Sequence, residues 1–457
     1  MWTLAISTVR YRPGSFTACF VALVFGATMT MAFGALFDTA LTGDVDAVSR
    51  ESLLTMGSIL GGWTVILVGF AVASTLTLLV HQRQREMATL KLTGATPRQI
   101  GRLLAGETAI IALIAVVAAL PIAIVAGRTV FSILKDSGQV GPSVEYTFGP
   151  IAIAMGFVVA VIVAVVSAVW TARATTRKRS SDAARTVAAE SAPMGRKRII
   201  TGLTLVALGI TAALMTATVM RDIGHEAMAA AGQSIILTSI GLAVLGPAIV
   251  RWAVKMSAGF IEKRGGPSGY MTALTLQQST RRLASALTPI VLFTGIATGT
   301  LYLQSTENAY LNDIGVTKSV ESLNIETGNL VVVGMLSMFV AILLVNTLVT
   351  SVRHRRREFG QQRLAGATPR QVMRTVTVES VFLSVTGIVA GTVVAVMGAV
   401  AYSISRTGTA VPEGSLGIYL GVVAIAVMLT VVTSSATARS NMATPAVHTL
   451  AALFRAI

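Results

Sequence analysis

From Arg83 to Arg102 the chain reads RQREMATLKLTGATPRQIGR, and from Arg355 to Arg374 it reads RRREFGQQRLAGATPRQVMR. The two stretches lie 272 residues apart and align without a gap. Arg85-Glu86 matches Arg357-Glu358, Gly94 through Gln99 matches Gly366 through Gln371, and Arg102 matches Arg374. The same offset pairs Ser7, Thr8 and Arg10 with Ser279, Thr280 and Arg282, and it pairs Glu107 with Glu379. Matches held in one register over such a distance make this chain an internal duplication.

The 457 residues are 53% hydrophobic and 12% charged, with a mean hydropathy of +0.74. A soluble domain carries about 25% charged residues. Apolar runs of about 20 residues, enough for a helix to span a bilayer, recur along the chain. The expected fold class is an all-α polytopic membrane protein with ten spans: 16–37, 58–80, 106–127, 149–171, 200–220, 232–254, 283–303, 330–352, 376–402 and 416–437. The first is read as a retained helix, because a signal peptide has a shorter apolar core and a small-residue cleavage site.

Charge sets the orientation. Thirty of the 36 Lys and Arg residues fall in alternate segments, beginning with the N-terminal one. The positive-inside bias then puts both termini and both repeated stretches in the cytoplasm. The same distribution accounts for the net charge of +16, so nucleic acid is not an expected partner. Spans 1–4 form one repeat (1–175) and spans 7–10 the other (266–457). A basic linker and spans 5 and 6 (176–265) separate them. With two spans intervening, the repeats share one orientation and are related by an axis along the membrane normal. Trp2–Arg12 and Tyr270–Arg282 read as short helices at the cytoplasmic interface.

Within each repeated stretch the local chemistry predicts a helix, a break and a new helix. Gly94 and Gly366 stand where a helix ends with a left-handed residue. Thr96 and Thr368 are N-caps, Pro97 and Pro369 sit at the first helical position, and Gln99 and Gln371 complete a capping box. Arg98 and Arg370 follow at a position where the helix dipole disfavours a cation. An acidic partner or a lipid phosphate would explain an arginine kept there twice; the alternative is that both simply follow the positive-inside bias. Glu107 and Glu379 lie close to Arg102 and Arg374 along the same helix. An intrahelical ion pair is the plain expectation, although a separation of five leaves a partner on another helix open.

These residues resemble the FtsX-like permease domain of ABC transporters, through the pattern R-E-x8-G-A-T-P-R-Q-x7-E after the second span of a four-helix unit. Two such units around two further helices resemble the ten-helix BceB-type permeases; single-unit relatives such as MacB work as dimers. The resemblance implies that 85–104 and 357–376 are coupling helices docking on two copies of a cytoplasmic ABC ATPase subunit. The residues it assigns to coupling are Arg85, Glu86, Gly94, Thr96, Pro97, Arg98, Gln99, Arg102 and Glu107, with Arg357, Glu358, Gly366, Thr368, Pro369, Arg370, Gln371, Arg374 and Glu379. It further implies a multi-pass protein of the bacterial cell membrane that exports a small lipophilic or amphipathic compound (antibiotic, peptide or lipid). The alternatives are a sensing complex acting with a membrane histidine kinase and, third, an ion-coupled secondary transporter.

The chain departs from the MacB and BceB pattern in lacking a large extracytoplasmic domain. The corresponding loops, 38–57 and 304–329, are short and acidic, with Asp38, Asp44, Asp46, Glu51, Glu307, Asp313, Glu321 and Glu326. They read as solvated faces; attraction of a cationic substrate is the competing reading. No G-x-x-x-x-G-K-[ST] sequence occurs, so ATP and Mg are expected on the partner subunits, with no cofactor in this chain. His81, His225, His354 and His448 have no metal-ligand spacing, and no nucleophile motif is present. No catalytic or metal site is therefore expected.

Overall fold

The computed structural model describes residues 16–42, 45–82, 89, 93–176, 194–221, 223, 225–278, 280–315 and 320–442. These form helices with no strand among them. In chain order they are α1 (Thr17–Leu41), α2 (Ala47–Gln82), α3 (Pro97–Asp136), α4 (Pro150–Thr176), α5 (Arg196–Thr218) and α6 (His225–Val244). Then come α7 (Gly246–Gln278), α8 (Thr280–Asp313), α9 (Val320–His354), α10 (Arg356–Leu364), α11 (Pro369–Thr407) and α12 (Leu416–Met442). Among the described residues, nine helices are long and apolar enough to cross a membrane. The second expected span, 58–80, lies in the 36-residue α2 and is not one of those nine. The protein is an all-α polytopic membrane protein.

The sixth expected span, 232–254, is not one helix. It is divided at Leu245 into α6 and α7. Pro247 is the cause: it has no N–H for the Ala243 carbonyl, and its ring crowds that carbonyl. The freed acceptors find side chains instead. Thr288 Oγ1 stands 3.5 Å from the Ala243 oxygen, and Arg198 Nε donates to the Val244 oxygen at 2.9 Å. Further along, α7 runs through Tyr270 to Gln278, so no separate interface helix begins at Tyr270. Trp2–Arg12 lies outside the described residues.

By compactness the chain divides into two units. The first comprises residues up to Arg185 together with Thr317–Ile342, and the second comprises Thr186–Val316 with Leu343–Ile457. In the first, α1 packs against α2, α3 and α4. Phe33 and Leu36 of α1, Leu53 and Leu60 of α2, and Phe131 and Leu134 of α3 enclose Met335 of α9 in a common core. Gln139 joins the same part of α9 to the end of α3, donating to Thr327 Oγ1 at 2.7 Å and to the Leu323 carbonyl at 3.1 Å. In the second unit α8 packs along α11, with α6 against both. Gly391 is needed for that approach. A Cβ there would lie 2.7 Å from Thr294 Cβ and 2.9 Å from the backbone nitrogen of Gly295, so the two backbones meet through small residues.

Asp46, Glu51 and Asp313 are exposed, as expected of solvated loops, but Asp38 and Glu307 correct that expectation. α1 and α8 extend to Leu41 and Asp313, which puts Asp38 and Glu307 on helices. Both are buried, 4% and 2% exposed. The Asp38 carboxylate accepts from the backbone N–H groups of Gly149, Ile151 and Ala152 at 3.0, 3.1 and 2.8 Å. It thereby caps the start of α4 from a neighbouring helix, where those N–H groups have no intrahelical partner. Glu307 accepts from Arg406 Nε and Nη2, each at 2.8 Å, and from Tyr402 Oη at 2.5 Å. The Arg406 guanidinium also lies 4.1 Å from the Tyr310 ring centroid. A bidentate, ring-stacked arginine and a phenol satisfy that carboxylate, as burial requires.

Because Asp38 serves three N–H groups, Asp38→Ala is expected to cost about 2 kcal/mol. The measurement is the unfolding temperature in detergent. Asp38→Asn should recover part of the loss, since its amide oxygen still accepts.

Candidate functional site: the duplicated corner

Both capping boxes form. Thr96 (φ −73°, ψ 154°) precedes α3, with Gln99 N–H donating to its Oγ1 at 3.3 Å and its own N–H donating to Gln99 Oε1 at 2.8 Å. Thr368 (φ −72°, ψ 152°) repeats this before α11, again at 3.3 and 2.8 Å. Gly94 and Gly366 are left-handed at φ 89° and 96°, the conformation glycine adopts without a Cβ clash. In the second copy the preceding helix ends in a Schellman motif. Ala367 N–H donates to the Gln362 carbonyl at 2.9 Å and Gly366 N–H to the Arg363 carbonyl at 3.2 Å, which satisfies the last carbonyls of α10.

The segment 357–376 is therefore not one helix. It is a corner: the nine-residue α10, the Gly366 turn, and the first two turns of α11. α11 then continues without a break for 39 residues in all, so its first turns and the span behind them are one rod. α3 likewise runs for 40 residues in the first copy, with Pro121 interrupting its hydrogen-bond ladder well beyond the first turns. Arg98, Gln99, Arg102, Arg370, Gln371 and Arg374 are exposed, as are Pro369, Gly94 and Gly366. Glu107 and Glu379 are buried, 1% and 7% exposed. Arg85 and Glu86 lie outside the described residues, and Arg357 falls in α10 with an undescribed side chain.

Glu379 does not pair with Arg374. Its partner is Arg355, at the joint between α9 and α10, whose Nη1 donates to Glu379 Oε2. Arg355 Nε donates to Glu358 Oε2 at 2.9 Å, and its guanidinium lies 5.1 Å from the Phe359 ring centroid. Arg355 is 2% exposed and one of the largest fully buried side chains. Burial works against its charge, but the Glu379 and Glu358 carboxylates outweigh that, and its pKa is raised. The geometry follows from helix spacing. Five residues from Arg374 to Glu379 turn the two side chains away from each other, whereas Arg355, at the joint between α9 and α10, reaches α11. Sequence did carry a signal. Arg83 and Arg355 are the first residues of the two repeated stretches, 272 apart like Glu107 and Glu379. Arg83 itself lies outside the described residues.

An apolar cluster of Val352, Phe359, Val372, Val376 and Ala438 fills the space beneath the corner. The end of α12 ties to it, with Asn441 Nδ2 donating to the Val352 carbonyl at 2.9 Å and Arg363 Nη1 donating to the Met442 carbonyl at 3.3 Å. The corner is thus held by an ion pair, a small core and two bonds to a neighbouring helix.

The same capped turn, Gly94–Gln99 and Gly366–Gln371, stands twice in this polytopic helical bundle, as a duplication requires. The chain belongs to the FtsX-like permease family. The family model, described as FtsX-like permease C-terminal, matches residues 58–179 and 330–442, a little over half of the chain. The two matches begin 272 residues apart, at the offset of the sequence repeat. Membership makes the protein a permease subunit of an ABC transporter, a transport component that is not itself catalytic. Such permeases generally work with cytoplasmic ABC ATPase partners. A search of curated proteins finds none similar to this chain.

Removing one member of a buried ion pair leaves the other charge desolvated. Arg355→Ala and Glu379→Ala should each lower stability by about 3 kcal/mol or more. Replacing both by Leu should cost less than the two single losses added together. A double-mutant cycle on thermal unfolding in detergent measures that coupling; additive losses would falsify the pairing.

Proposed function

We propose that this chain couples ATP hydrolysis by two cytoplasmic ATPase subunits to export of a lipophilic or amphipathic compound across the bacterial cell membrane. The single observation supporting this is the duplicated corner: two identical capped turns within one polypeptide, each leading directly into a membrane-crossing rod. A push on such a corner has no flexible joint in which to dissipate before reaching α3 or α11. Each corner meets one ATPase subunit, so one permease chain serves an ATPase pair. Arg98 and Arg370, exposed at the second helical position, contact acidic groups on the ATPases. In this reading ATP and magnesium are held by those partners, and both corners and both termini face the cytoplasm.

Two outcomes are expected. The double charge reversal Arg98→Glu with Arg370→Glu should abolish co-purification of the ATPase while membrane insertion stays intact. Mass measurement of the purified complex should give one permease per two ATPase subunits. A complex of normal composition from the double variant would rule out these docking residues.

A further inference from the structure

Beside the second corner, the start of α11 and the end of α12 enclose an open groove of about 590 Å³. Its lining includes Arg370, Met373, Arg374 and Thr377 of α11 with Arg439 and Met442 of α12. All three arginines are exposed. Among the described residues none of them meets a carboxylate; the ion pairs nearby run from Arg355 to Glu358 and Glu379. Three exposed arginines thus line this groove beside two methionines. That combination suits an anion carrying an apolar body.

The place of the groove along the expected spans points to the kind of anion. The expected spans of α11 and α12 begin at 376 and end at 437, so Arg374 and Arg439 each stand two residues beyond the hydrocarbon. At 1.5 Å per residue that is about 3 Å for a helix near the membrane normal, and Arg370 lies about 9 Å out. The headgroup layer on each side is about 5–8 Å thick. On these expected span ends Arg374 and Arg439 lie at the bilayer surface, where lipid phosphates are. A protein docked on the Thr368 cap would approach from farther out.

The first repeat supplies a second, independent observation. Val431-Val432-Thr433 followed by Thr437-Ala438-Arg439 has a counterpart in Val165-Val166-Ser167 followed by Thr171-Ala172-Arg173. Arg98 and Arg102 already match Arg370 and Arg374. The duplication has thus kept the same three arginines at the same helix positions, Arg173 on α4 standing for Arg439 on α12. A general excess of positive charge on this side requires no such correspondence.

We propose that this groove holds the phosphate of an anionic phospholipid, gripped by Arg374 and Arg439, with Met373 and Met442 against its apolar part. Basic pockets between membrane helices at the bilayer surface recognise such headgroups. The lipid fills the angle between α11 and α12 at the base of the corner.

The test uses the full chain with fluorescent phosphatidylglycerol titrated into nanodiscs of phosphatidylcholine. Arg439→Gln should weaken phosphatidylglycerol binding about tenfold or more, with ATPase co-purification retained, and adding Arg374→Gln should weaken lipid binding further. Arg439→Lys should keep most of the binding, and all variants should unfold at the wild-type temperature in pure phosphatidylcholine. Wild-type binding by the Gln variants would overturn the proposal. So would equal competition by soluble glycerol phosphate, which would make the occupant a free phosphate. Loss of ATPase binding with lipid binding unchanged would make the groove part of the ATPase interface instead. Arg439 is not a docking residue, so failure here leaves the proposed function standing.

Discussion

The contact between Arg355 and Glu379 is the constraint on which the corner of the second repeat depends. A guanidinium that is 2% exposed tolerates burial only with a carboxylate in reach. Glu379 supplies it from the third turn of α11. The pair fixes where α9 must stop, because Arg355 is the residue at which the helix breaks. It also fixes the side from which α11 approaches. Phe359, stacked on the same guanidinium, then closes the small core with Val352, Val372, Val376 and Ala438. The exposed arginines of α11 face outward because Glu379 faces inward.

The opposite end of each unit solves the same problem differently. In the first unit Asp38 takes its donors from the backbone at the head of α4. In the second, Glu307 takes them from Arg406 and Tyr402. Both are carboxylates near the end of the first helix of a repeat, and both anchor a later helix of that repeat. The two acids are 269 residues apart and not at the repeat offset of 272, so each unit satisfies a buried acid of its own.

α9 is treated unequally along its length. Up to Ile342 it belongs with the first compact unit, where Met335 and Thr327 contact helices of the first repeat. From Leu343 it belongs with the second, where Val352 joins the corner's core. By sequence it is the second span of repeat two throughout. Common ancestry and packing partnership are separate properties, and α9 shows them diverging within one helix.

Much of the fold was legible in the sequence because it depends on local rules. Apolar runs of bilayer length mark the spans, and Thr-Pro-x-Gln after Gly marks each turn, whatever surrounds it. The break at Pro247 also follows a local rule, a missing N–H acting within four residues, but the expected span 232–254 ran through it. The partners of Glu379, Asp38 and Glu307 were not legible in this way. Composition makes Asp38 and Glu307 solvated loop acids, and proximity along the helix gives Glu379 to Arg374. Each assignment fails for one reason: a buried charge is satisfied by whatever group packing brings within about 3 Å, and that group lies outside its own helical turn. The sequence by itself determined the duplication, the helices and the caps. Only the tertiary structure decided which charges meet, because that depends on how helices far apart in the chain are laid side by side.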